Sequence, residues 1–176
     1  MVARFIRFAE GTNSIVGKAT AWLTLGCVLV CFAVVVLRYG FSISLIWMQD
    51  LYVWLHAMVF MLGAGYTYLI GGHVRVDLFY GTMSPRARAR VDLFGVLFFV
   101  LPWAYAVLWS SYPFVMRAWS IYEPSPQPNG LDGVFLLKTV IPLTVLLVVL
   151  HAASVALRCI MVLRGRMEFD TPYGGH

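Results

Sequence analysis

Few side chains in this sequence could do chemistry, and their placement decides which chemistry is open to it. The carboxylates are Glu10, Asp50, Asp77, Asp92, Glu123, Asp132, Glu168 and Asp170, and every one falls outside the long apolar stretches. A carrier that couples a solute to protons or sodium binds its driving ion at membrane depth, on an ionisable or coordinating group shielded from water. No carboxylate is present in the apolar stretches to do this, nor is there a pair of broken helices to build a midplane site. A self-sufficient transporter is therefore not expected. His56 and His151 raise the question of a haem, which needs two axial nitrogens on opposite sides of one iron. His56 lies near one end of its apolar stretch and His151 near the other end of its own, a depth difference of about 10 Å or more at the helical rise. One haem cannot bridge them, so both are read as hydrogen-bonded packing residues. Cys27 and Cys31 stand one turn apart in a single stretch, and Cys159 lies at the end of another. A quinone-linked thiol oxidase needs exposed Cys-x-x-Cys pairs, which are missing, so the cysteines read as small buried apolar residues. What remains is His73-Val-Arg75-Val-Asp77 and Trp47-x-x-Asp50. Arg75 would repel a metal ion, so the first block is expected to form a polar clasp at a helix end. Asp50 is expected to cap its helix or to pair with Arg38. Nothing here points to an enzyme, a resident cofactor or a metal.

The elements that must carry these residues follow from composition. Of 176 residues 61% are hydrophobic and 12% charged, with a mean hydropathy of +0.81. A soluble domain carries roughly 25% charged residues, so this chain needs lipid as its solvent. Four stretches escape charge, at about 19–37, 51–72, 93–116 and 134–157, the last beginning at Val134 if Lys138 snorkels. Each approaches the roughly 20 residues that a helix needs to cross a hydrocarbon layer of about 30 Å. Strands would leave open edges in lipid. The expectation is an all-α membrane protein: a single domain, 1–176, of four transmembrane helices in an antiparallel bundle.

Orientation comes from Lys and Arg. Arg4, Arg7 and Lys18 precede the first span; Arg75, Arg86, Arg88 and Arg90 lie between the second and third; Arg158, Arg164 and Arg166 follow the fourth. Basic flanks stay in the cytoplasm, which predicts both termini inside and residues 158–176 as a cytoplasmic tail. The net charge of +5 is accounted for by this bias, and nucleic acid need not be invoked. No cleavable signal peptide is expected. Within residues 1–17, Val2, Phe5, Ile6, Phe8 and Ala9 share one helical arc and Arg4, Arg7 and Glu10 the other, which predicts a short interfacial helix with its arginines at lipid phosphates. Ser84 followed by Pro85 predicts a helix start that carries Arg86, Arg88 and Arg90 toward headgroups. Gly63–Gly65 and Ala152/Ala156 are expected to aid packing. The loop Arg117–Gly133, with Pro124, Pro126, Pro128 and Asn129-Gly130, is the sizeable polar segment on the outer side.

Several of these motifs together resemble a known family. Trp47-Met-Gln-Asp50, Phe60-Met-Leu-Gly63-Ala64, Gly72-His-Val-Arg-Val-Asp-Leu78, Ser84-Pro85-Arg86, Glu123-Pro-Ser125 and Lys138-Thr-Val-Ile-Pro142 resemble the small membrane subunit of tripartite ATP-independent periplasmic (TRAP) transporters. The resemblance covers nearly the whole chain, and His-Val-Arg-Val-Asp is its most specific block. One departure is Gln49 before Asp50, where a pair of acidic residues is more usual.

The resemblance implies a bacterial inner-membrane scaffold subunit of a sodium-coupled importer of organic acids. A soluble periplasmic protein captures the substrate, and a large membrane subunit carries the transport site and handles sodium. Trp47, Asp50, Gly63, His73, Arg75, Asp77, Lys138 and Pro142 are then the residues expected at subunit contacts. Glu123, Ser125 and Asp132 are expected to be placed to touch the binding protein, while Arg4, Arg7, Arg86, Arg88 and Arg90 anchor the chain in membrane lipid. The competing expectation is a standalone four-helix membrane protein, such as a cofactor-binding electron carrier.

Overall fold

The computed structural model describes residues 2–73 and 80–166. Four long helices account for almost all of them: α1 (Val2–Gly40), α2 (Ile46–Leu69), α3 (Pro85–Ser120) and α4 (Val134–Leu163). No strand occurs among the described residues. The helices alternate in direction. Glu10 near the start of α1 meets Arg158 near the end of α4, and Trp119 at the end of α3 bonds to Thr139 at the start of α4. One end of the bundle, the basic end, therefore holds the start of α1, the end of α2, the start of α3 and the end of α4. The other, the loop end, holds residues 41–45 and 121–133.

α1 corrects one expectation. The segment 1–17 is not a separate interfacial helix; α1 runs unbroken for 39 residues, about 58 Å at the helical rise. The amphipathic arc explains why. Ile6 and Ala9 are buried against the rest of the bundle, whereas Phe5 and Phe8 on the same arc stay exposed. Their spacing continues through Asn13, Gly17 and Thr20 as a single buried stripe, so the N-terminal turns are held by protein packing, with only part of their apolar face left for lipid. Glu10 leaves the polar arc shared with Arg4 and Arg7 to pair with Arg158.

Helix ends follow their local chemistry. Gly71, at φ 68°, closes α2: its N–H reaches the Tyr68 carbonyl at 3.2 Å, and the Gly72 N–H reaches that of Thr67 at 2.8 Å. This is the paired C-terminal pattern that a left-handed residue permits. Ser84 caps α3 as expected, its Oγ accepting from the Ala87 N–H with Pro85 in the first turn. Within α3 the backbone widens to a π turn over Val96–Val100, where the Leu101 N–H reaches back five residues to Val96. Pro102 follows at once; its ring would crowd the carbonyl four residues earlier in a regular helix, and the wider turn relieves that.

α4 is the central helix. Ala152, Val155, Cys159 and Val162 form a core with Ala89 and Val96 of α3, covered by Tyr68, Leu93 and Val100. Cys159 is buried as expected, while Cys31 is exposed on α1. α1, α3 and α4 are each long and apolar enough to cross a membrane. α2 has 24 residues, about 36 Å of helix, but Trp47, Tyr52, Trp54, His56, Tyr66 and Tyr68 make it less apolar, and it is not among those three.

Candidate functional site

At the loop end, Asp50 is a hub. It sits in the first turns of α2 but does not cap it: Leu45 occupies the cap position without a side-chain bond. Nor does it pair with Arg38. Its Oδ2 accepts from Ser125 Oγ at 2.7 Å and from the Leu131 N–H at 2.9 Å, and so fastens the proline-rich loop onto α2. Ser125 Oγ also accepts from the Gln127 N–H at 3.2 Å, and the Ser125 N–H donates to Asp132 Oδ1 at 3.4 Å. Gly130 is required by this closeness, since a Cβ there would lie 2.1 Å from Ser125 Oγ and 2.4 Å from Asp50 Oδ2.

The loop's two ends are closed by a second fastener. Lys138 at the start of α4 forms an ion pair with Glu123, and its ammonium lies 3.8 Å from the Phe114 ring centroid, close enough for cation–π attraction. Lys138 is thus held inward by α3 and the loop instead of snorkelling alone. Trp119 donates to Thr139 at 2.9 Å beside it. The structure therefore brings Asp50, Ser125, Asp132, Glu123 and Lys138 into one locked corner. Trp47 is exposed on the first turn of α2, and Pro142 is half-buried within α4.

The basic end is arranged differently. His73 is exposed, its ring 5.9 Å from that of Tyr68. Together with Phe99, Val100, Trp103 and Val148 these two line a groove of about 460 Å³. Arg75 and Asp77 lie outside the described residues, as does the clasp expected of them. Arg4, Arg7, Arg86 and Arg90 are exposed. Arg88 is not a free anchor: it donates to the Met83 carbonyl at 3.1 Å and the Gly81 carbonyl at 2.6 Å, and lies over the Tyr80 ring. Tyr80 in turn donates to Asp92 at 2.7 Å.

Within the bundle, His151 is fully buried, with its ring edge-on to Tyr68 at 4.7 Å. It is a packing residue, but among the described residues neither ring nitrogen has a hydrogen-bond partner, contrary to the bonded histidine expected. His56 is exposed on α2, about 18 Å of helix from Tyr68. The two histidines cannot share an iron. Gly63 also departs from expectation: nothing lies within 4 Å of where its Cβ would be. The glycine that packs is Gly65, whose Cβ would meet Asn13 Oδ1 at 2.2 Å. Asn13 donates to the Ala9 carbonyl at 3.0 Å and to the Leu147 carbonyl at 3.3 Å, joining α1 to α4. Asn13 and the pairing of Glu10 with Arg158 were not read from the sequence, although the stripe Ile6, Ala9, Asn13, Gly17, Thr20 is a readable signal.

The described carboxylates share one property. Glu10, Asp50, Asp92, Glu123 and Asp132 each have a partner within this chain. They hold helices and loops together.

No curated protein and no solved structure matches the chain. A family model does match, over residues 27–162, described as tripartite ATP-independent periplasmic transporters, DctQ component. That match takes in the Asp50 corner, the Glu123–Lys138 pair and the whole of α2 and α3, and the chain belongs to this family of small membrane components of TRAP transporters.

Proposed function

We propose that this chain is the stationary, membrane-anchored framework of a sodium-coupled importer of organic acids, and that it leaves substrate and sodium to a large membrane subunit. The observation that carries the reading is the engagement of every described carboxylate within the chain. A carboxylate that binds a coupling ion must have oxygens free to coordinate it, and these carboxylates are committed to holding the fold. A periplasmic binding protein that delivers substrate completes the assembly.

Four spans are part of this reading. α1 and α3 both run from the basic end to the loop end, so α2 must return across the same distance. Its first turns contact the loop at Leu131 and its last turns pack beside His151. The aromatic and glycine content that lowers its apolarity belongs to a helix half-covered by α1 and α4. With the basic end in the cytoplasm, Arg4, Arg7, Arg86 and Arg90 face the inner headgroups, and the Asp50 corner faces the periplasm. This fits a bacterial inner-membrane protein with both termini inside. The corner fixes the shape of residues 123–132, and its exposed prolines and Asn129 form the surface offered to the binding protein. Glu123 and Ser125 act there from behind, as supports.

Co-expression with a large membrane subunit of a TRAP transporter from the same organism tests the reading. Affinity purification through this chain should retain the large subunit in stoichiometric amount in mild detergent. Purification of this chain alone, with transport by the large subunit unaffected by its absence, would contradict it.

A further inference from the structure

The outward faces of α1 and α3 are both apolar, but they differ in chemistry. On α1, Leu25, Val28, Leu29, Phe32, Val35 and Val36 are exposed, and apart from the weakly polar Cys31 thiol among them this stripe is hydrocarbon. Acyl chains satisfy such a stripe completely. On α3, Tyr105, Trp109 and Tyr112 follow one another at helical spacing and are 66%, 73% and 66% exposed. The Tyr105 and Trp109 rings are stacked at 6.0 Å. Among the described residues, neither phenol hydroxyl nor the Trp109 N–H has a hydrogen-bond partner. Pro113 adds a fourth open group, because it has no N–H to give the Trp109 carbonyl one turn earlier.

Depth makes this patch unsuited to lipid. The charge-free run of α3 lies between Asp92 and Arg117, which puts Tyr105 at its centre and Trp109 about 6 Å further along. Tyrosine and tryptophan that face lipid settle at the headgroup belts, about 15 Å from the midplane, where water meets their polar tips. At the midplane only another protein can supply acceptors. The surface is also concave: Tyr105, Leu108, Trp109, Tyr112 and Pro113 line a groove of about 530 Å³.

We infer that this face of α3 is the docking surface for the large membrane subunit, through a partner transmembrane helix that offers oxygen acceptors to Tyr105, Trp109 and Tyr112, while the α1 stripe faces lipid. The inference rests on the framework reading above, which supplies the partner.

The test uses the co-expressed complex in native membranes, with a photoreactive benzophenone amino acid placed at residue 105 or 109 of α3, or at residue 28 or 32 of α1. The α3 positions should give an adduct with the large subunit at a yield at least about tenfold above the α1 positions, which should label lipid. In parallel, Tyr105→Phe with Tyr112→Phe removes only the two hydroxyls and should lower the large subunit retained in detergent several-fold, with the chain still folded by circular dichroism. Adducts with the large subunit chiefly from α1, cross-linked dimers of this chain, or lipid adducts alone from residues 105 and 109 would each overturn the docking face while leaving the framework reading intact. Failure of the unmodified chain to retain any large subunit would overturn both.

Discussion

A carboxylate at the rim of an apolar bundle must find donors, and Asp50 finds them 75 and 81 residues further along the chain. Hydrogen bonds to a charged group contribute roughly 1.5–3 kcal/mol each, and leaving their donors unmet costs a similar amount. Asp50→Ala should therefore destabilise the purified protein by about 2–4 kcal/mol in a thermal melt, with Asp50→Asn recovering part of the loss because its amide oxygen still accepts. An unchanged melt for the alanine variant would remove the hub. Gly65→Ala drives a Cβ onto Asn13 Oδ1 and against Leu147, at a cost of about 1–3 kcal/mol from overpacking. Adding Asn13→Ala should restore part of that stability; additive losses would contradict the contact. The sequence made Asp50, Glu123, Ser125 and Lys138 conspicuous, because polar residues beside apolar spans are few. Which of them meet could not be read, because the Asp50 to Ser125 contact joins segments that no local pattern relates. Asn13 escaped notice for the opposite reason: one amide in a helix looks like any solvated polar residue until Leu147 and Gly65 close around it.

The helices, and the start of α3, were legible from capping and charge, whereas α2 begins at Ile46, before the Asp50 cap expected for it. Ser84-Pro85 placed the start of α3, and the arginine-free runs placed the cores of all four helices, because both signals are local in sequence. The extent of α1 was not. An amphipathic stretch beside lipid and one beside another helix have the same pattern, and only the packing of the other helices decides that Ile6 and Ala9 are covered by protein. This difference is measurable. Deleting residues 2–9 should lower the thermal midpoint of the detergent-solubilised protein by several degrees, since two core side chains are lost and about 2 kcal/mol with them. A helix that merely rested on lipid would leave the midpoint in detergent unchanged. The π turn is likewise only half legible. Pro102 is visible in sequence, but a helix can meet a proline with a kink as well as with a wider turn, and no local pattern chooses between them.

At the scale of the whole molecule, a long central helix is wrapped on three sides, and polar fasteners lie at both ends. The loop end is locked by Asp50 and by the Glu123–Lys138 pair, the basic end by Glu10–Arg158 and Tyr80–Asp92. Between them the bundle presents hydrocarbon and aromatic surface to its surroundings. Topology can be checked directly: single cysteines introduced at Asn129 and at Arg164, in a background with Cys27, Cys31 and Cys159 changed to serine, should react with an impermeant maleimide in intact cells only at residue 129. Labelling of residue 164 and protection of residue 129 would invert the orientation argued from the arginines. The central claim is that the chain holds a transport machine in place without gripping its cargo. Reconstitution into liposomes tests it most directly. With a sodium gradient and the organic acid delivered on its binding protein, vesicles that contain this chain with the large subunit should accumulate the acid, and vesicles that contain this chain alone should take up no more than empty ones. Sodium-driven accumulation by the isolated chain would contradict the account.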